Sequence, residues 1–403
     1  MKRILTLILA LTLAVFMITG CSQQPAGSET GNGEKVIKIG IFEPASGDNA
    51  AGGKQEVLGI RYAHSLKPTV NINGEEYKVE LVEVDNQTTA EKAPAAASTL
   101  VSQKVAVVLG TYGSGAAMAG GEIFKAAKIP AIGCSCTNPG VTSNNEFYFR
   151  VCYIDPFQGT VMANHAKDSG AKTAYVLTQL GDDYSTGLGT YFKKAFEDLG
   201  GKVIAEEFPE GTTNFASYIA NATAANADVM FAPTSTAMAS LLIEQCATAK
   251  VSYKLMAGDT WESSVILDAS KGTNLDISVS TFFDEEDPSA ADFVKGFKAW
   301  LNNDSQNLTN NGGNDIVAAV SALGYDSYLT AIAAIEKANS TDTVKIKEAL
   351  QTITTADVAV KGVTGSIYFD EIGDAVRDTA YIKGVDTETG LFKFLKVQTI
   401  ASN

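Results

Sequence analysis

Histidine is almost absent from this sequence, and the two that occur, His64 and His165, lie far apart. There is no H-E-x-x-H run and no third histidine, so a multi-histidine metal centre lacks ligands and a histidine-based triad lacks a recognisable base. Cysteine is scarce too, with five in 403 residues. A chain of this length buries about 75% of its unfolded surface in ordinary cores and needs no disulfide scaffold. Positive charge is outnumbered, with 31 Lys and Arg against 46 Asp and Glu. No basic cluster with interleaved aromatics interrupts that acidity, which excludes binding to a phosphate backbone. Neither G-x-G-x-x-G nor G-x-x-x-x-G-K-[ST] occurs, so a nucleotide cofactor is not expected. What remains, 45% hydrophobic and 19% charged residues, is ordinary globular composition.

The longest apolar run stands at the start. Lys2 and Arg3 precede Ile4 to Ile18, a charged n-region and short h-region that mark a secretory signal too short to span a membrane as a mature helix. It closes on Ile18-Thr19-Gly20-Cys21, which looks like a bacterial lipobox. Residues 1–20 are therefore expected to be a lipoprotein signal, Cys21 the lipidated N-terminus, and residues 21–35, rich in Gly and Ser, a flexible tether. The protein is expected outside the cytoplasmic membrane, in the periplasm or on the outer face of the cell membrane.

After the tether, short β-rich runs alternate with longer helical periods. Strands are predicted at 36–42, 77–84, 105–109, 129–133, 173–178, 202–208, 228–232 and 254–257, with helices at 88–102, 115–128, 156–168, 186–199, 214–225 and 236–249 between them. Such alternation predicts an α/β fold with parallel, doubly wound sheets and right-handed crossovers. Pauses near 150–157 and at Asp284-Glu285-Glu286-Asp287-Pro288 favour two lobes over one very wide sheet.

Ligands of such sheets sit beyond the carboxyl ends of the strands. After the 105–109 strand comes Gly110-Thr111-Tyr112-Gly113-Ser114-Gly115, and after the 129–133 strand comes Cys134-Ser135-Cys136-Thr137-Asn138-Pro139. A serine at a helix N-terminus offers a hydroxyl, free N–H groups and a positive helix end, which suit a carboxylate; alone it is equally a plain N-cap. Two adjacent turns of this kind could converge on one anion.

Together with Ile37-Lys38-Ile39-Gly40, Asp85-Asn86-Gln87-Thr88, Phe149-Arg150, Asp155, Gln158-Gly159, Tyr184, Gly324-Tyr325-Asp326 and Gly362-Val363-Thr364-Gly365, these turns stand in an order and spacing that resembles the periplasmic leucine/isoleucine/valine-binding proteins, the substrate-binding components of branched-chain amino-acid ABC importers. The resemblance runs from about Val36 to the C-terminus. It implies a type I periplasmic-binding-protein fold, two Rossmann-like lobes joined by a three-crossing hinge. Lobe 1 would comprise residues 36–156 and 284–374, and lobe 2 residues 157–283 and 375–403. It also implies a carboxylate site at Ser114, Ser135 and Thr137, an ammonium partner at Asp259, and pocket walls from Tyr184, Ser235, Trp261 and Phe42. Glu43 falls at the cleft rim, where an exposed carboxylate is expected.

Cys134, Cys136, Cys152 and Cys246 could be soft metal ligands, but buried structural thiols are the usual reading; whether Cys136 pairs with Cys152 stays open. Asp182-Asp183 reads as a helix start. No nucleophile stands with a base, so no enzyme, metal or cofactor is expected. The expected function is capture of an amino acid, branched-chain or otherwise apolar, by hinge closure, as a monomer partnering an ABC permease. The alternatives are a sensory module of the same fold or a binder of amides or small organic acids.

Overall fold

The computed structural model describes residues 34–399. The signal expected at 1–20, the lipidation expected at Cys21 and most of the tether expected at 21–35 fall outside the described residues.

The chain opens with β1 (Val36–Glu43), α1 (Ala50–Leu66), β2 (Thr69–Ile72), β3 (Glu75–Asp85), α2 (Ala93–Ser102), β4 (Val107–Leu109), α3 (Ser114–Ala127), β5 (Ala131–Gly133) and β6 (Tyr148–Arg150). These strands form one six-stranded sheet in the order β2-β3-β1-β4-β5-β6. β1 lies inside it, parallel to β3 on one side and β4 on the other. Its VIKIGIFE run is buried at nearly every position, as a strand covered on both faces must be.

A second unit follows with α4 (Asp155–Asp168), β7 (Thr173–Gln179), α5 (Asp183–Asp198), β8 (Lys202–Phe208), α6 (Ala216–Ala224), β9 (Val229–Phe231), α7 (Thr236–Ala249), β10 (Lys254–Ala257), α8 (Ser264–Ser270) and β11 (Ile277–Thr281). The chain then returns to the first sheet with α9 (Ala291–Asn302), α10 (Ser305–Asn310), α11 (Ala319–Ala338), α12 (Thr343–Leu350) and the hairpin β12 (Val360–Gly362) and β13 (Gly365–Ile367). It ends with β14 (Thr379–Asp386) and β15 (Leu391–Thr399), antiparallel strands that complete a seven-stranded sheet in the order β15-β14-β11-β10-β9-β7-β8. The chain therefore passes between the two sheets three times.

Of the elements that position the site, α1 carries no clear sequence signal. α1 holds Gly52, Gly53 and Gly59, which lower helix propensity and blur its apolar stripe. The glycines answer to packing. A Cβ at Gly59 would collide with the Ser321 carbonyl of α11, and one at Gly324 of α11 would collide with the Glu56 carbonyl of α1. α1 and α11 thus meet backbone to backbone, and α11 is long and almost wholly buried. The acidic stretch at residues 284–287 lies at the second crossing, where Asp287 accepts from the Ser289 amide at 2.8 Å.

Among the described residues no helix is long and apolar enough to cross a membrane.

Candidate functional site

The carboxyl ends of the central strands in both sheets face one cavity of about 340 Å³, a volume typical of small-molecule sites. From the first lobe come Asn49, the Tyr112 to Gly115 turn and Ser135; from the second come Tyr184, Ser235, Asp259 and Thr260. Contacts between the lobes bridge its lips. Asn138 Nδ2 donates to the Asp183 carbonyl at 2.7 Å, and Thr236 Oγ1 to the Asp48 carbonyl at 3.1 Å. Near the hinge, Glu262 Oε2 accepts from the Ala319 amide at 2.9 Å while its other oxygen holds buried Lys383 at 2.6 Å.

Ser114 opens α3, and Gly113 before it has φ 109°, a left-handed conformation that glycine adopts without strain. Its hydroxyl oxygen accepts from the Asn138 amide at 3.1 Å, which ties the two turns together and leaves the Ser114 proton free. On the opposite wall, Asp259 is 3% exposed. One of its oxygens accepts from Gln158 Nε2 at 2.6 Å and from the Tyr184 hydroxyl at 3.0 Å. Burial first, and the nearby Asp155 carboxyl second, push Asp259 well above the usual carboxylate range. Tyr184 is placed by α5, which Asp182 caps by accepting from the Ser185 amide at 2.7 Å. Ser235 caps α7 in the same way.

Ser135 lines the cavity, but its hydroxyl proton goes to Glu56 of α1, so it turns lone pairs toward the cavity. Behind it, Glu43 is buried, not a solvated rim group: its Oε2 accepts from the Tyr112 amide at 2.8 Å. β1 ends under the Tyr112 turn, and that covers the side chain. The remaining oxygens, Glu43 Oε1 and Glu56 Oε2, have no hydrogen-bond partner, and the two carboxyls stand close to each other. Burial pushes both up, Glu56 to about 7. With the Cys134 sulfur they form a group whose ligating atoms lie within 4.8 Å. A proton shared between the carboxyls accounts for that approach, since two like charges in an apolar interior cannot both ionise.

Three expected positions fall elsewhere. Thr137 is fully buried but does not line the cavity; it sits at the first crossing, where its carbonyl accepts from the Asp155 amide at 3.0 Å. Neither the Thr137 hydroxyl nor either Asp155 carboxyl oxygen has a hydrogen-bond partner, and burial pushes Asp155 up to about 7. Phe42 is core, edge-on to Phe124 at 5.3 Å, because neighbours on a strand point to opposite faces and Glu43 takes the other one. Trp261 is also core. The short turn after Asp259 rotates it into the second lobe, where its Nε1 donates to Thr234 Oγ1 at 3.3 Å.

Tyr112 supplies the aromatic wall instead. A side chain at Gly52 would collide with its ring, so the glycine on α1 makes room for an aromatic from the β4-α3 turn. Arg150 organises the turn after β5 without touching the cavity. It donates to the carbonyls of Cys136 at 2.8 Å and Asn138 at 2.7 Å, and pairs with buried Asp374 at 2.6 Å. The four described cysteines are buried free thiols.

A profile of the periplasmic binding protein family matches residues 36–387. The chain belongs to that family. Within it, the leucine-, isoleucine-, valine-, threonine- and alanine-binding protein of Pseudomonas aeruginosa is 28% identical over 351 residues, 84% of this chain and 87% of that one. An amino acid binding protein of the same organism is 29% identical over 225 residues, and the match spans 55% of this chain but only 58% of that relative's length. The leucine binding protein LivK of Thermotoga maritima has a TM-score of 0.80 and 30% identity, covering 90% of this chain and 99% of that one. The type I periplasmic-binding-protein architecture is thereby shared, and these family members are binding proteins, not enzymes.

Proposed function

We propose that this protein is a lipid-anchored extracytoplasmic binding protein that captures an amino acid between two lobes and delivers it, as a monomer, to the permease of an ABC importer. The lobes are taken as 36–156 with 284–374 and 157–283 with 375–403. The observation that carries the reading is one cavity with opposite polarity on its two walls. Ser114 and the N-terminus of α3 stand on the first lobe, and the Asp259 carboxyl, steadied by Tyr184 and Gln158, stands on the second. A zwitterion placed between them gives its carboxylate to the helix end and its ammonium to Asp259. Only a closed cleft serves both ends, so the ligand supplies the differential affinity that holds the lobes shut. Relatives named for amino-acid binding support the same reading.

A thermal-shift panel of free amino acids against ligand-stripped protein tests it. Ligand at a hundredfold excess over its dissociation constant adds about 2.7 kcal/mol of stability, a rise of several degrees. The expected result is a shift with at least one amino acid that Asp259→Ala abolishes. No shift with any of them would overturn the reading.

A further inference from the structure

Every buried residue that lines the cavity carries a polar side-chain atom. The aliphatic residues on its wall, Ala90 and Leu180, are both exposed at the mouth. The two large apolar side chains expected there, Phe42 and Trp261, are consumed by the lobe cores. Its two aromatics are tyrosines, each with a hydroxyl.

The polar inner wall is also unevenly satisfied. Asn49 is 7% exposed, and its Oδ1 has no hydrogen-bond partner among the described residues. Ser135 has given its proton to Glu56 and offers only lone pairs to the cavity. Both groups are acceptors waiting for donors. With the carboxylate at Ser114 and the ammonium at Asp259, they are left to the ligand's side chain. An aliphatic side chain would desolvate them and return nothing, which is the costly case for buried polar groups. Charge selects in the same direction, since six acidic residues and one lysine line the cleft. A second ligand carboxylate would meet like charge at close range.

Resting on the amino-acid reading above, we propose that the cargo is an amino acid whose side chain carries hydrogen-bond donors, a hydroxyl, amide or amine, and not a branched aliphatic or acidic one. Asn49 and Ser135 are the specificity-determining acceptors.

The test is titration calorimetry on the full-length, ligand-stripped protein with leucine, valine, threonine, glutamine, lysine and glutamate. At least one of threonine, glutamine and lysine should bind about tenfold or more tighter than leucine and valine, because a site built for hydrogen bonds rejects analogues that lack them. Asn49→Ala should narrow that gap from both sides, weakening the ligands that donate to it and tightening leucine, which no longer desolvates an unpaired acceptor. Ser135→Ala, which removes the other acceptor on the same wall, provides the readout if the Asn49 variant does not fold. Leucine, valine or glutamate binding tightest, with Asp259→Asn still abolishing it, would overturn this inference and leave the amino-acid reading standing. No binding by any of the six would overturn both.

Discussion

The Tyr184 hydroxyl and Gln158 Nε2 converge on one oxygen of Asp259, at 3.0 and 2.6 Å. Two neutral donors thus hold a buried carboxyl in place without neutralising it. Tyr184→Phe should weaken ligand binding by about 1.5–3 kcal/mol, the range for a hydrogen bond to a charged group. Asp259→Ala should cost more, about 3–5 kcal/mol, by stranding an ammonium in a closed cleft. Calorimetric affinities that ranked the two variants the other way would remove Asp259 from the ammonium role.

Burial and the neighbouring Asp155 hold the Asp259 carboxyl well above the usual range in the free protein. A bound ammonium favours its ionised form, so ligand uptake should release a proton, and affinity should rise with pH up to the free-state pKa. Titrations near pH 6 in two buffers of different ionisation enthalpy measure the release. Equal apparent enthalpies would mean that no proton leaves.

Glu56 and Asp155 are each pushed up to about 7 by burial, from ordinary values of 4.5 and 3.8. Between those limits the folded protein keeps protons that the unfolded chain has released. Their contribution to stability is therefore full below about pH 4 and is lost as pH rises to about 7. His165, pushed down to about 4 by burial, works in the opposite sense. Glu56→Gln cannot release its proton, so the pH dependence of its midpoint of unfolding should be flatter than that of the parent between pH 5 and pH 7.

Asp374 is the buried counter-charge of Arg150 and also accepts from the Thr142 hydroxyl at 2.7 Å. Asp374→Ala leaves that guanidinium unpaired and should destabilise the fold by about 3–5 kcal/mol in urea titrations. Because Arg150 also holds the carbonyls on either side of Thr137, looser ligand binding should accompany the loss. A variant with unaltered stability would contradict the pair's structural role.

Gly59→Ala pushes a methyl group into the Ser321 carbonyl across the α1–α11 contact. Overpacking of this kind costs about 1–3 kcal/mol and more where backbone is the obstacle. Ala at exposed Gly181, where nothing lies near a Cβ but φ is positive at 82°, controls for backbone strain alone, about 1–2 kcal/mol. A smaller loss at position 59 than at 181 would count against the close contact.

The fold class was legible because its signal is periodic and local. β7, β8, α3 and α7 show their alternation within a dozen residues, and strand-end logic together with the family resemblance brought out Ser114, Tyr184, Ser235 and Asp259. What escaped is set by partners distant in sequence. Gly59 stands in α1 because α11 lies against it some 260 residues later, and Gly52 because the Tyr112 ring does. Glu56, Asn49 and Tyr112 enter the site only once that packing is made. A glutamate flanked by glycines at positions 52 and 59, on one face of a helical period, was the available signal for Glu56. Trp261 and Phe42 misled for the converse reason: closeness in sequence to a cleft residue says nothing about which way a side chain turns.

The embrace of α1 by α11 also sets a schedule for synthesis. The face of α1 that carries Glu56 has its covering helix only at residues 319–338. During vectorial emergence the first sheet and its helices are made long before that cover exists, so their glycine-lined face stays open to solvent for most of translation. The acceptor wall at Asn49 and Ser135 matures late, after nearly the whole polypeptide is available. A fragment ending at the second crossing would hold every residue proposed to touch the ligand, and still lack the helix against which α1 packs.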